Sequence, residues 1–503
     1  MKKAIKNFLT DAFPEFIMIF LNLILLKLFY GKLGTNIYAL YQIFSQFFAY
    51  LVLAEAGFSS CALVSLYKPM AENNIKEINK KLAGIRYIFR NIGIVILSLA
   101  VIISFIIPFT IKGNTFNYFY IIITFILYSI SNSVNYFFFT YRIYYDARGE
   151  KYVPNIVYQV GFIIKYIVEI VLLLLGASFE IVLIGCIICN LLTNFFMKQY
   201  TLKKEKNIKL DRNNKDTSMI NDTKDLIIHK ISGVIANNID IVLISMNLGL
   251  KKVAIYGAYN YILNEINKII TKIGTSLYSI VGKTYFDKNK HLIDKNKFIQ
   301  YNSFLFFLAT IISSSLVFSY NSFINIFYGN DMVASKIVSY LFIIMVYIQI
   351  IRTTLNTYLN GCGLFKDTKI CAITEGIINL ILSLIFVKYF EMAGILVATV
   401  ISLLISDFII KPIIIKNNLK IFTMKEYYKE FFIYILIGTI LIVLNSFIFK
   451  FSCNNLIEWF FTSTLIFVFN TIITCIIFKL IGRISWLKDI KNVIFKKKSK
   501  EEI

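Results

Sequence analysis

Ionisable and amide side chains recur at helical spacing inside long apolar stretches of this 503-residue sequence. One stripe, spaced i, i+4, i+7 and i+11, consists of Tyr261, Glu265, Lys268 and Lys272. At about 100° per residue these side chains share one helix face. A charged group inside a membrane helix costs at least about 2.5–3.5 kcal/mol, so such a face usually meets protein or water. The stripe is consistent with a cavity wall, and also with a surface on which Glu265 neutralises Lys268.

Two further stripes lie 214 positions apart. The first consists of Asn135, Arg142 and Asp146, and the second of Gln349, Arg352, Asn356 and Asn360. The stripe of Arg352 contains amides and no acid. Its guanidinium is therefore a candidate contact for an anionic substrate, or a cation that reaches the cytoplasmic headgroups.

Other ionisable groups stand alone or in pairs. Lys165 and Glu169 are spaced i, i+4, which fits an internal ion pair or a cavity lining. The acids Asp240, Glu265 and Glu55 are candidates for binding a coupling Na⁺ or H⁺, with structural roles as the alternative. Asp407 is predicted to be solvated near a cytoplasmic helix end.

The elements that must position these residues are membrane helices. Of the residues, 57% are hydrophobic and 16% charged, and the mean hydropathy is +0.69. Fourteen apolar stretches are long enough for a bilayer about 30 Å thick. They cover residues 9–30, 37–66, 87–111, 116–140, 153–176, 179–199, 225–247, 252–282, 299–320, 334–360, 367–388, 392–411, 430–449 and 456–478. The sequence therefore predicts an all-α polytopic membrane protein.

The net charge of +24 is distributed by topology. With the N-terminus in the cytoplasm, cytoplasmic segments hold 40 Lys and Arg, and outside turns hold 7. This asymmetry is the positive-inside pattern, and it predicts that both termini are cytoplasmic. Nucleic acid is not expected as a partner.

An internal duplication is predicted from local similarity. Residues 31–41 align on residues 249–259 at an offset of 218, and both spans run outward, so the repeat is parallel. The predicted organisation is a six-helix bundle (1–200), a basic cytoplasmic linker (201–224), a second six-helix bundle (225–415), two additional helices (416–480) and a basic cytoplasmic tail (481–503).

The sequence lacks the motifs of common enzymes. No P-loop, G-x-S-x-G or H-E-x-x-H motif occurs, and Cys186 and Cys189 form a C-x-x-C without a second pair. We therefore expect neither a metal site nor a cofactor, and we expect a carrier rather than an enzyme.

Three local patterns resemble those of the polysaccharide repeat-unit flippases in the MOP (multidrug/oligosaccharidyl-lipid/polysaccharide) exporter superfamily. They are Leu33-Gly34 through Tyr41 running to Phe58, Asn238-Ile239-Asp240 through Tyr256, and Gly361 to Lys366 followed by Ile377 to Leu380 and Gly394.

The resemblance implies a MATE-like, two-bundle transporter in the bacterial inner (cytoplasmic) membrane that works by alternating access. Its substrate would be an undecaprenyl-pyrophosphate-linked oligosaccharide, flipped to the outer leaflet for O-antigen, capsule or teichoic-type polymers. A polysaccharide polymerase and glycosyltransferases would be its partners.

Pyrophosphate needs cations, and the candidates are Arg352, Lys268, Lys272, Arg142 and Lys165. Polar candidates for contact with the substrate are Gln349, Asn356, Tyr261 and Asn135. A multidrug or organic-cation antiporter of the same superfamily is the first alternative. A membrane-embedded glycosyltransferase or ligase is the second, although it would require a larger external loop.

Overall fold

The structure is a computed structural model that describes residues 2–55, 57–208, 210, 214–218, 239–286, 295–449, 453–483 and 486. Every regular element in these ranges is helical. Residues 209, 211–213 and 219–224 of the predicted linker, 225–238 of the predicted second bundle, and 484–485 and 487–503 of the predicted tail lie outside the described residues.

The helices up to the linker are α1 (Lys2–Leu51), α2 (Phe58–Ala71), α3 (Ile75–Ile106), α4 (Tyr118–Ala147), α5 (Tyr152–Leu174) and α6 (Phe179–Lys204). Those after it are α7 (described over Ile239–Leu248), α8 (Leu250–Phe286), α9 (Lys295–Tyr328), α10 (Lys336–Gly361), α11 (Phe365–Leu404), α12 (Lys411–Leu419), α13 (Met424–Ile448) and α14 (Leu456–Leu480). Single 3-10 turns follow α1, α3 and α9, and a π-helix (Ile405–Ile410) joins α11 to α12.

Ten helical stretches in the described ranges are long and apolar enough to cross a membrane. Two of them, Ile17–Ala71 and Asp367–Leu419, each contain two predicted spans. The ten stretches therefore contain twelve of the fourteen predicted spans, and the remaining two predicted spans correspond to α7 and α8. The prediction of an all-α polytopic membrane protein is confirmed.

Two residues interrupt the longest helices. Gly34 breaks α1 with φ +86°, and Glu391 breaks α11 with φ +51°. Both lie in the short gaps between predicted spans. Glycine adopts a positive φ readily, whereas glutamate disfavours it. The break in α11 therefore places Glu391 in a backbone conformation that its residue type disfavours.

Left-handed turns recur at nearly constant separation in the two halves of the chain. The pairs are Gly34 and Gly249 (215 positions apart), Gly113 and Gly329 (216), Gly149 and Gly363 (214), and Gly176 and Glu391 (215). This supports an internal duplication, and the turns that follow α4 and α10 agree with the predicted offset of 214. The offset of 218 for the first hairpins is wrong by three residues. Three residues are nearly one helical turn, so both alignments superpose similar faces.

The chain divides into two compact units, Met1–Ala254 and Ile255–Ile503. In the first unit α4 packs against α3 and α6, while α5 packs against α1 and α6. Its core is aromatic: the ring of Phe44 lies 5.2 Å from that of Phe125 and 6.3 Å from that of Phe179.

The described part of the linker lies against the first unit. Asn79 Nδ2 donates to the carbonyl of Asn207 at 2.8 Å, and Lys81 Nζ lies 3.2 Å from Asp216 Oδ2. A Cβ on Gly84 would stand 1.7 Å from the carbonyl oxygen of Asp216, so this close approach requires glycine. We call the described residues from Glu205 to Ser218 the strap.

In the second unit α9 packs against α10, α13 and α14. Phe306 stacks on Tyr434 with ring centroids 4.4 Å apart. A buried chain of hydrogen bonds joins the last helices to α9: Asn445 Nδ2 donates to Asn470 Oδ1 at 2.8 Å, and Asn470 Nδ2 donates to Ser315 Oγ at 3.0 Å. This chain fixes α13 and α14 to the rest of the unit.

Candidate functional site

A buried charged network lies in the second unit, among α10, α11 and α12. Arg352 Nη2 lies 3.2 Å from Glu375 Oε2, and its Nε lies 3.0 Å from Asp407 Oδ2. Lys411 Nζ lies 2.5 Å from Asp407 Oδ1 and donates to Asn356 Oδ1 at 2.9 Å. With two cations and two acids the network is formally neutral. This balance is what makes buried charge tolerable.

The π-helix places the central acid of this network. Its single wide turn carries Asp407, whose side chain is only 5% exposed, so the prediction that Asp407 is solvated is wrong. Arg352 and Asn356 belong to one network, because Asp407 contacts both Arg352 and Lys411, and Lys411 donates to Asn356. The stripe of Arg352 is free of acids, as its sequence shows, but acids reach it from two neighbouring helices.

An apolar groove of about 580 Å³ lies among α9, α10, the end of α11 and α13. Its walls include Ile348, Ile405, Phe408 and Phe431. Ile405 and Phe408 belong to the same π-helix as Asp407. One short segment thus contributes an apolar wall to the groove and an acid to the charged network.

A second buried group of ionisable residues lies in the first unit, between α5 and α6. Lys165 Nζ lies 3.7 Å from Glu169 Oε1, and the Cys186 thiol donates to Glu169 Oε1 at 2.8 Å. Lys165 also lies over the rings of Phe162 and Tyr166, at 5.8 and 5.4 Å from their centroids. The predicted i, i+4 ion pair is therefore present, and its acid is buried.

A polar seam continues along α6 from this group. Asn190 Nδ2 donates to the carbonyl of Ser131 at 2.8 Å, Asn194 Nδ2 donates to Asn135 Oδ1 at 2.8 Å, and the Tyr158 hydroxyl donates to Asn194 Oδ1 at 3.0 Å. Asn135 is one of the residues predicted from the sequence, whereas its partners on α6 are not among them. Asn190 and Asn194, spaced i, i+4 in an apolar span, were the available signal.

Arg142, at the end of the seam, lies with its guanidinium carbon 5.7 Å from the ring centroid of Tyr158. Its Nε lies 3.9 Å from Asp146 Oδ2, one turn further along α4.

The predicted stripe on α8 contains an ion pair, with Lys268 Nζ 2.7 Å from Glu265 Oε1 and the Lys268 side chain 57% exposed. Tyr261 and Lys272 lie on the same helix, and Gln349 lies on α10, where its carbonyl accepts the hydroxyl of Thr353. Asp240 is buried in α7, and Glu55 ends a 3-10 turn and accepts a hydrogen bond from Ser59.

Among the predicted cations, an acid lies within 4.0 Å of each of Arg142, Lys165, Lys268 and Arg352. An anionic substrate would have to compete with these acids. No group of three or more His, Cys, Asp or Glu suited to a metal ion occurs within the described ranges.

No family model matches the sequence, and no curated protein is significantly similar to it. Solved structures do match over most of the chain. A lipid II flippase MurJ in an inward closed conformation is 18% identical with a TM-score of 0.71, and the match covers 94% of this chain and 99% of that one. An inward-facing multidrug-resistance MATE transporter of the MOP superfamily is 12% identical with a TM-score of 0.66, covering 84% and 99%.

A MOP-superfamily transporter from Pyrococcus furiosus, noted for the reverse polarity of its binding pocket, is 12% identical with a TM-score of 0.57, covering 81% of this chain and 93% of that one. The chain has the fold that these transporters share.

Proposed function

We propose that this protein is a flippase that carries an undecaprenyl-pyrophosphate-linked oligosaccharide from the cytoplasmic to the outer leaflet of a bacterial cytoplasmic membrane. The oligosaccharide would be a repeat unit of a cell-surface polysaccharide, and the bundles would move by alternating access. The proposal includes a coupling Na⁺ or H⁺, with Asp240, Glu265 and Glu55 as candidate acids.

The observation that carries this proposal is the position of the π-helix between an apolar groove and a charged network. A lipid-linked sugar has a long hydrocarbon tail joined to a charged, hydroxyl-rich head. Ile344, Ile409 and Phe432 line the groove and are exposed, so a chain in the surrounding lipid can enter from the side. The similarity to a lipid II flippase supports the same substrate class.

The charged network offers the chemistry that a pyrophosphate and sugar require. Guanidinium and ammonium groups bind phosphate oxygens, and amides such as that of Asn356 hydrogen-bond to hydroxyls. Glu375 and Asp407 already form ion pairs with Arg352. The head group must therefore displace one of these acids from Arg352, or bind when the helices move apart.

A flipping assay in proteoliposomes tests the proposal. Ile409→Trp fills the groove, whereas Ile413→Trp places the same ring one turn away at a similarly exposed position outside it. We expect Ile409→Trp to slow the flipping of a fluorescent undecaprenyl-pyrophosphate oligosaccharide at least tenfold, and Ile413→Trp to retain the wild-type rate. Equal rates in the two variants would contradict the proposal, as would no flipping by the wild-type protein.

An organic-cation antiporter is a second candidate, favoured by the pairing of acids with the intramembrane cations. A neutral or acid-rich site can accept a cation when its own lysine or arginine moves away. In the same proteoliposomes, gradient-driven uptake of a fluorescent cation without flipping of the lipid would support the antiporter.

A further inference from the structure

The Lys165–Glu169 pair has a geometry unlike that of the charged network in the second unit. The nitrogen–oxygen distance is 3.7 Å, beyond the roughly 2.7–2.9 Å of a charge-assisted hydrogen bond. Glu169 Oε1 instead accepts the thiol of Cys186 at 2.8 Å. The acid is therefore anchored on α6, and the lysine is held to it mainly by charge.

The pair also faces away from lipid. The exposed apolar face of α5 includes Val160, Ile164, Ile167 and Val171. At about 100° per residue, Lys165 and Glu169 lie on the other side of the helix. The Lys165 side chain is 20% exposed and that of Glu169 is 9% exposed, so the lysine is the more accessible of the two side chains.

We propose that Glu169 is an internal counter-ion, which neutralises Lys165 in the empty carrier and gives way when a pyrophosphate-type anion binds the lysine. The identity of the anion rests on the proposed function. The anchored acid keeps its hydrogen bond from Cys186 when the lysine leaves it, so the exchange needs only the long lysine side chain to move.

The pairing gives the empty carrier a useful property. A membrane potential acts on every net charge that moves through it. A neutralised lysine–glutamate pair adds no net charge to the returning carrier.

Other titratable groups surround the acid. They are Tyr41 of α1, Tyr128 of α4, Lys165 and Tyr166 of α5, and Cys186 and Cys189 of α6. Lys165 is the cation of this group, so the test is directed at the lysine and the acid.

The experiment measures the binding of inorganic pyrophosphate to the purified full-length protein by calorimetry. Glu169→Gln removes the competing charge at constant size, and we expect pyrophosphate to bind about tenfold more tightly, which corresponds to about 1.4 kcal/mol of competition. Because the charged network around Arg352 can also bind pyrophosphate, Lys165 is tested by a double-mutant cycle: in the Lys165→Gln background, adding Glu169→Gln should no longer tighten binding. Glu180→Gln, in the first turn of α6, is the matched control and should bind like the wild type.

Thermal unfolding of each variant accompanies the titrations, and Glu169→Asp, which retracts the carboxylate by one methylene, provides a smaller change in the same direction. A purely structural acid would lower the melting temperature without tightening binding, which would overturn the inference. Unchanged or weaker binding by both Glu169 variants, or tightening by Glu169→Gln that persists in the Lys165→Gln background, would also overturn it.

The flipping assay separates this inference from the proposed function. Tighter pyrophosphate binding by Glu169→Gln without any lipid flipping would support the anion site and contradict the proposed lipid-linked substrate. Flipping by the wild type with unchanged binding by Glu169→Gln would overturn the counter-ion alone.

Discussion

Lys411 Nζ lies 2.5 Å from Asp407 Oδ1, across the junction between the π-helix and α12, and both side chains are almost fully buried. Asp407 also meets Arg352 at 3.0 Å, so a single acid balances parts of two cations. The stability of this unit inside the membrane therefore depends on the balance of its buried charges as well as on apolar packing.

Asp407→Asn tests that dependence. Removing one partner of a buried ion pair costs about 3–5 kcal/mol because the remaining charge is left uncompensated. We expect a clearly lower melting temperature in detergent. The double variant Asp407→Asn with Lys411→Met restores the charge balance and should recover part of the loss. If the double variant were as unstable as the sum of its single changes, charge balance would not be the cause.

The hydrogen-bonded chain from Asn445 through Asn470 to Ser315 gives a second prediction. Asn470→Leu leaves the buried Nδ2 of Asn445 without this acceptor, at about 1–3 kcal/mol, whereas Ser315 loses a donor but still donates to the carbonyl of Ile311. Thermal unfolding should show the loss. Thr471→Val is the control, because the hydroxyl of this partly exposed residue donates to the carbonyl of Phe467 in its own helix, and the variant should melt like the wild type.

Docking of the strap depends on Gly84. A methyl group there would overlap the carbonyl of Asp216, so Gly84→Ala should release the strap and speed hydrogen exchange at residues 214–218. Gly31→Ala places its methyl group in open space and should leave that exchange unchanged. Protection equal to that of the wild type in Gly84→Ala would refute the close approach.

Acid should release the strap over a defined range. The backbone N–H and hydroxyl of Ser218, followed by Lys81, lower the pKa of Asp216 from 3.8 to about 2. A lowered folded-state pKa adds stability that is complete above the unfolded-state pKa and is lost as pH falls through the folded-state value. A spin label at Thr217 should therefore stay immobile at pH 5 and gain mobility between about pH 4 and pH 2. In Asp216→Asn its mobility should not change with pH over that range.

The breaks in the helices could be predicted from the sequence, whereas the ion pairs between different helices could not. Hydropathy placed gaps at Gly34 and Glu391 because membrane helices must end where apolar residues stop. Spacing within one helix could show that Lys165 and Glu169 meet. It could not show that Glu375 and Asp407 approach Arg352, because those contacts depend on how three helices pack.

The recurring left-handed turns have a consequence for how the two halves acquired their chemistry. If the halves descend from one duplicated segment, the backbone retained its turns while the polar residues drifted independently. Lys165 and Glu169 fall, by the turn spacing of 215, on Leu380 and Leu384, which are both aliphatic. In that case each half inherited a common frame and evolved a different ionic interior, so the two halves contain unlike charged clusters.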